Sequence, residues 1–149
     1  MAEIERIVIL TGAGISAESG IDTFRAAGGL WEQHKLEDVA TPEGFARNPD
    51  LVLNFYDMRR AALAEVAPNP AHMALARLQR GFAGELLLVT QNVDDLHERA
   101  GSIVDAHVHG SLFALRCFAC GRAHDGPLED YVDGVQRIEP MRCAACGDR

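Results

Sequence analysis

Short unbroken apolar runs and longer stretches of helical periodicity alternate along this chain. Ile7-Val8-Ile9-Leu10 and Leu86-Leu87-Leu88-Val89 are the apolar runs. Bounded by glycine or polar residues, such runs predict strands buried in a parallel sheet. Strands are expected near residues 6–10, over 85–90, and more briefly from Ile103 to His107. Asn48-Pro49 and Asn69-Pro70 each set a capping side chain before a proline, which is a helix-start signal. The first helix is expected to reach Ala64 and to bury Leu51, Phe55 and Ala62. The second is expected to bury Met73, Leu75, Ala76 and Leu78. A short helix is expected over Asp94 to Arg99, and a helix start near Ser16 to Ser19. Residues 20–45, carrying Gly20, Gly28, Gly29, Pro42 and Gly44, read as a long loop with short helical pieces. Strands alternating with helices predict an α/β fold around a parallel sheet.

Composition narrows the class. A length of 149 residues suits one domain, or a domain with a small insert. With 48% hydrophobic and 24% charged residues the chain is globular. Its net charge of −8 argues against nucleic acid as the main partner, which would call for a basic stripe. No apolar stretch approaches a membrane span, and the first six residues, Met1 to Arg6, do not read as a signal peptide. A cytoplasmic protein is therefore expected. In that compartment its four cysteines point to metal or redox chemistry before structural disulfides.

Four places carry candidate chemistry. Gly12-Ala13-Gly14-Ile15-Ser16 follows the first strand and fits the opening of a dinucleotide site, where glycines let phosphate approach the backbone. Position 17 is Ala and the next glycine is Gly20, so the full G-x-G-x-x-G spacing is missing. A plain strand-to-helix turn remains the other reading. Cys117-Phe118-Ala119-Cys120 and Cys143-Ala144-Ala145-Cys146 are two C-x-x-C knuckles 22 residues apart, suited to one tetrahedral Zn²⁺. Redox pairs or two local disulfides are the alternatives, and His124 between the knuckles has no required role. Gln91-Asn92-Val93-Asp94 closes the second strand, at the end where open α/β sheets bind ligands. Its amides and carboxylate suit a carboxamide, while helix capping by Asn92 or Asp94 would explain them equally. His107-Val108-His109-Gly110 ends the third strand, where a histidine is placed to act as general base. The two histidines could instead share a metal, although no third ligand is evident. His97 reads as a packing or hydrogen-bonding residue.

The ordered set GAGIS (12–16), GIDTFR (20–25), QNVD (91–94), HG (109–110) and paired C-x-x-C resembles the sirtuins, NAD-dependent protein-lysine deacylases. The likeness runs from about residue 5 to residue 149. It implies that Gly12, Ala13, Gly14, Ser16, Phe24, Arg25 and Trp31 line an NAD pocket. Gln91, Asn92 and Asp94 would hold the nicotinamide and ribose region, with His109 as catalytic base. Cys117, Cys120, Cys143 and Cys146 would hold one structural Zn²⁺, with NAD as cosubstrate. The implied chemistry is attack of an acyl oxygen on the nicotinamide ribose, release of nicotinamide, and transfer of the acyl group to ADP-ribose. Acylated lysine side chains of proteins would be the partners, with no nucleic acid and no membrane.

Tyr56 and Arg59 lie three residues apart on a predicted helix, so they share a face. A guanidinium beside a phenol suits a carboxylate at the end of an acyl chain. The spacing favours Arg59 over Arg60 for that role, although such arginines are often only a solvated helix face. The pair and the segment 27–31 are similar to the sirtuin branch that removes succinyl, malonyl or glutaryl groups. The expected organisation is an incomplete Rossmann-like domain from 1–35 and 76–114, a helical insert with acyl-lysine recognition at 36–75, and a zinc-binding module at 115–149.

The resemblance also implies a departure. Sirtuins continue past the second knuckle, and here only three strands of a 3-2-1-4-5-6 sheet have candidates. The chain is thus expected to be C-terminally truncated, with its first strand at an open edge. The adenosine side of the crevice is expected to be missing, so these residues alone should bind NAD poorly and turn over slowly or not at all. Three other functions fit parts of the pattern: a zinc- and peptide-binding remnant without catalysis, a mono-ADP-ribosyl transferase, and a disulfide oxidoreductase.

Overall fold

The computed structural model describes residues 4–21, 35–124 and 142–148. Strand β1 (Arg6–Thr11) leads into a 3₁₀ helix (Ala13–Ser19). After it come α1 (Leu36–Val39), α2 (Pro42–Arg47), α3 (Pro49–Ala64) and α4 (Pro70–Gly81). Strand β2 (Glu85–Thr90), α5 (Leu96–Arg99) and β3 (Ala106–His107) complete the order.

The three strands form one parallel sheet in the order β1-β2-β3. Its register pairs Ile7 with Leu86, Thr11 with Thr90, and Thr90 in turn with His107. An Arg6–Glu85 ion pair marks where β1 and β2 begin. Among the described residues β1 pairs on one side only, and Val8 and Leu10 are 63% and 61% exposed.

Two compact units divide the chain. The first comprises Met1–Gly29 with Val66–Ser111, and the second Leu30–Glu65 with Leu112–Arg149. The whole of α4 belongs to the first unit, whereas the sequence reading divided it at residue 76. The second unit takes in both the helices α1 to α3 and the cysteine knuckles, which that reading kept apart.

Local chemistry explains why the elements lie where they do. The Asn48 side chain accepts the Leu51 N–H at 3.1 Å and caps α3. Asn69 caps α4, accepting from Ala71 at 2.9 Å, while His72 Nδ1 accepts the Asn69 N–H at 3.3 Å. That reciprocal bond turns the His72–Ala76 stripe inward. Met73 and Leu78, expected inside, are consequently 41% and 43% exposed. On α3 the buried residues are Val52, Phe55, Arg60 and Leu63. Phe55 agrees with expectation; Ala62 is exposed and Leu51 only half-buried.

Strand β3 is shorter than the Ile103–His107 reading, for two reasons. The Gln79 side chain bonds the Ile103 carbonyl and N–H, at 2.9 and 2.8 Å, as a strand would. The Asp105 carboxylate then takes the Leu88 N–H at 2.7 Å, in place of a backbone carbonyl.

Candidate active site

The carboxyl ends of three neighbouring parallel strands bring the first unit's candidate residues together. Gly12 follows β1, Gln91 to Asp94 follow β2, and Val108 to Gly110 follow β3. Open α/β sheets bind their ligands at this end.

Three side chains from two of these loops form a buried polar cluster. Ser16 is 1% exposed, and Asn92 and Asp94 are each 8% exposed. Ser16 Oγ donates to Asp94 Oδ2 at 3.0 Å. Asn92 Nδ2 donates to Ser16 Oγ at 3.1 Å and to the Gly12 carbonyl at 3.2 Å. These bonds fix the glycine loop against the turn after β2. From the other side, Asn69 Nδ2 holds the Ile15 carbonyl at 2.6 Å and Ser19 Oγ at 3.0 Å. The capping reading of Asp94 is also realised, because its Oδ1 accepts the Leu96 N–H at 3.2 Å. Asn92 caps nothing with its side chain; its backbone N–H reaches Thr90 Oγ1 at 3.0 Å.

The glycines leave room in this loop. A methyl group at Gly14 would meet nothing within 4 Å, and one at Gly12 would come 3.9 Å from Gln91 Nε2. Ala13 is half-buried. The loop thus leaves backbone and space open beside an amide and a carboxylate.

His109 lies in the turn after β3, closed by a Gly110 N–H to His107 carbonyl bond of 3.1 Å and by Gly110 at φ 81°. Its Nδ1 is 3.0 Å from the Gln91 carbonyl. A carbonyl only accepts, so Nδ1 carries the proton and the neutral ring keeps its lone pair on Nε2. The Gln91 N–H bonds the Thr11 carbonyl at 3.0 Å, so one residue ties β1 to the turn holding the histidine. The Gln91 side chain itself is exposed.

His107 has a different task. Its Nδ1 lies 2.9 Å from the Asn92 carbonyl and its Nε2 2.7 Å from Glu98 Oε1. Two acceptors require both ring nitrogens to carry protons. Burial works against this charge, but the hydrogen bonds to Glu98 and the Asn92 carbonyl outweigh it and hold the pKa above 6.5. The metal-sharing alternative fails here, because both His107 nitrogens and one of His109 are already committed. A raised pKa means a stabilising contribution present below 6.5 and lost as pH rises through the raised value. The native chain is therefore expected to lose stability as pH rises from 6.5 through that window, and His107→Gln to lack this loss. Denaturant midpoints measured across the window check it; identical profiles would contradict it.

In the second unit, Tyr56 and Arg59 are both half-buried on α3. The Arg59 guanidinium lies 5.8 Å from the centroid of the Phe55 ring, and that ring meets Tyr56 edge-on at 5.3 Å. Arg60 is 3% exposed and occupied, donating to the Leu112 carbonyl at 2.8 Å and to Asp57 at 2.6 Å.

The four cysteine sulfurs lie within 4.8 Å of one another. Cys117 and Cys146 are 3.6 Å apart, Cys120 and Cys143 3.7 Å. A zinc tetrahedron with Zn–S bonds of about 2.3 Å has edges of about 3.8 Å, so the set fits Zn²⁺. All four are free thiols gathered into one tetrad, not into two local pairs. The two knuckles share one backbone design. Gly121 and Gly147 donate to the Cys117 and Cys143 carbonyls at 3.0 and 2.8 Å, with φ of 71° and 77°. A glycine after each C-x-x-C was the signal the sequence reading overlooked. Backbone bonds from Ala145 and Cys146 lower the Cys143 thiol to about 7. At Cys146 the Asp148 backbone acts to lower the pKa, yet the thiol of Cys117 and desolvation prevail and raise it to about 12. Four thiols this close resist ionising together until a dication joins them.

Phe24, Arg25, Trp31 and the segment 27–31 lie outside the described residues. The sequence reading did not anticipate Asn69 and His107 as supports of the site. Asn69 carried a signal, its cap position, but nothing local announced its second set of bonds.

Among known proteins, the model of the Sir2 family matches residues 12–149. An NAD-dependent protein deacylase of Salmonella typhimurium is 60% identical over 148 residues, covering 95% of this chain and 54% of the relative. A Sir2 homolog–NAD complex superposes with a TM-score of 0.77 at 43% identity, covering 96% of this chain and 53% of that one. A Sir2 mutant with a deacetylated p53 peptide and 3′-O-acetyl ADP-ribose gives 0.76 at 30% identity, covering 95% and 56%. The chain spans about half the length of the curated relatives it matches. Glycine loop, polar cluster, histidine turn and cysteine tetrad occur in one chain that the family model matches almost throughout: it belongs to the Sir2 family.

Proposed function

We propose that this chain carries the nicotinamide side, the base and the acyl reader of an NAD-dependent protein-lysine deacylase that removes succinyl and malonyl groups, and acetyl groups less well. One observation carries the reading. Ser16, Asn92 and Asp94 are buried polar residues locked onto the glycine loop, at the same sheet end where His109 keeps its Nε2 lone pair. Bound NAD would supply an electrophilic ribose carbon and nicotinamide as leaving group. Gly12, Ala13, Gly14 and Ser16, with Gln91, Asn92 and Asp94, are the residues that would hold it, joined by Phe24, Arg25 and Trp31. His109 accepts a ribose hydroxyl proton at Nε2, while Nδ1–H stays on the Gln91 carbonyl and keeps the ring oriented.

The acyl preference rests on α3. Tyr56 and Arg59, three residues apart on α3, have the spacing that suits an acyl carboxylate, while Arg60 is buried against Asp57 and Leu112. A charge-assisted hydrogen bond contributes about 1.5–3 kcal/mol, so Arg59→Met should cut kcat/KM for succinyl-lysine peptides by about 10–100-fold. Activity on acetyl-lysine peptides should change little. An equal loss on both would remove the reader role. The partners are acylated lysines of proteins, and the reduced thiols of a zinc site suit the cytoplasm. No helix among the described residues is long and apolar enough to cross a membrane.

The function is tested by mass spectrometry of succinyl- and acetyl-lysine peptides with and without NAD. NAD-dependent formation of O-acyl-ADP-ribose supports deacylation; ADP-ribosylated peptide instead would mean transfer.

A further inference from the structure

Among the described residues, the first unit buries two histidine nitrogens that have no hydrogen-bond partner. His72 on α4 and His97 on α5 pack edge to face, with ring centroids 4.9 Å apart and planes at 68°. They are 0% and 1% exposed. His72 Nδ1 accepts the Asn69 N–H at 3.3 Å, so a neutral His72 carries its proton on Nε2. That N–H is buried without an acceptor. On His97 the roles are reversed. Its Nε2 lies 2.9 Å from Thr11 Oγ1, and that hydroxyl gives its hydrogen to Thr90 Oγ1, also at 2.9 Å. With the Thr11 hydrogen on Thr90, Thr11 accepts from His97 Nε2–H and His97 Nδ1 keeps a lone pair, which is the arrangement that a link to His72 Nε2–H requires. This atom too is buried and unpartnered. One orphan is a donor and the other an acceptor, on rings that touch.

We infer that one internal water joins His72 Nε2–H to His97 Nδ1, and that the two histidines are thereby positioning residues for the glycine loop. Buried waters commonly make about three hydrogen bonds to otherwise unsatisfied groups. Ser102, whose N–H bonds the His97 carbonyl at 3.0 Å, carries a further buried and unpartnered Oγ available as the third. With the water in place, a polar chain runs unbroken from Asn69 through His72, His97 and Thr11 to Thr90. Both of its ends grip the candidate site. Asn69 holds Ile15 and Ser19, while Thr11 and Thr90 are the last residues of β1 and β2, directly before Gly12 and Gln91.

The chain works only with both rings neutral. A proton added at His97 Nδ1 would turn the acceptor into a second donor and break it. Burial lowers the pKa of both rings, which keeps them neutral at about pH 7. Asp94 opposes that shift at both rings and Glu98 at His97, whereas His72 and His107 reinforce it at His97. The proposal rests on the cosubstrate reading only for what the loop is for; water and proton positions stand without it.

The test is ligand-free. Long-range ¹H–¹⁵N spectra of the labelled chain, from about pH 8 to about pH 5, report each ring's tautomer and charge. Both rings are expected as neutral Nε2–H forms, with a cross-peak from His72 Hε2 to a long-lived water. The Gly12 and Asn92 amide signals should move with the His97 titration, below 6.5. An Nδ1–H His97, or no water cross-peak, overturns the water. Amides that stay flat through that titration overturn the positioning role. In His97→Gln, whose amide N–H can still serve Thr11, the pH response of Gly12 should vanish; its persistence would overturn the role as well.

Discussion

Cys146→Ser should abolish zinc binding and unfold the knuckle module. The described part of that module buries little beyond Leu112 and Cys117, and most of both knuckles is exposed. Metal therefore supplies the stability that a core would provide elsewhere. Structural zinc contributes about 10–16 kcal/mol near neutral pH in small zinc modules, comparable with or above the whole stability of an ordinary domain. A chelator should act like the substitution. Because the thiols must ionise to bind, zinc uptake should release protons and weaken as pH falls. The checks are metal stoichiometry, expected at one zinc per chain, and circular dichroism with and without chelator. A metal-free Cys146→Ser chain with an unchanged melting curve would contradict the account.

His109→Ala should lower deacylation kcat/KM by about 10²–10⁴-fold, the usual contribution of a positioned general base. The loss should fall on chemistry and leave the fold intact, because His109 is exposed and its one described bond runs to the Gln91 carbonyl. His109→Asn keeps a donor for that carbonyl and no base, so it should be stable and equally slow. Kinetics and denaturant midpoints of both variants check this. If the Asn variant kept activity, the bond to Gln91 would be what matters, and His109 would not be the base.

The elements that a local pattern can specify were legible before the fold was known. Glu85–Thr90 is an apolar run between Gly84 and Gln91, and it is the observed β2. Asn48-Pro49 and Asn69-Pro70 marked the helix starts that the structure shows. What stayed hidden depends on partners distant in sequence. Gln79 and Asp105 replace backbone in the sheet, and so shorten β3 in a way its own residues do not announce. His72 is interior because its ring caps Asn69, against the apolar pattern of α4. At the site, capping and ligand holding looked like rival uses of Asp94. Its two oxygens serve different neighbours, Leu96 and Ser16, which only the folded loop brings together.

The most direct test of the central claim is the NAD-dependent fate of a succinyl-lysine peptide. It is followed with the zinc-loaded chain joined to the part of the Salmonella typhimurium relative that it does not cover. The account predicts NAD-dependent succinyl loss with O-succinyl-ADP-ribose, abolished by His109→Ala. A folded, NAD-binding joined protein that leaves the peptide untouched, or succinyl loss that His109→Ala does not slow, would contradict it.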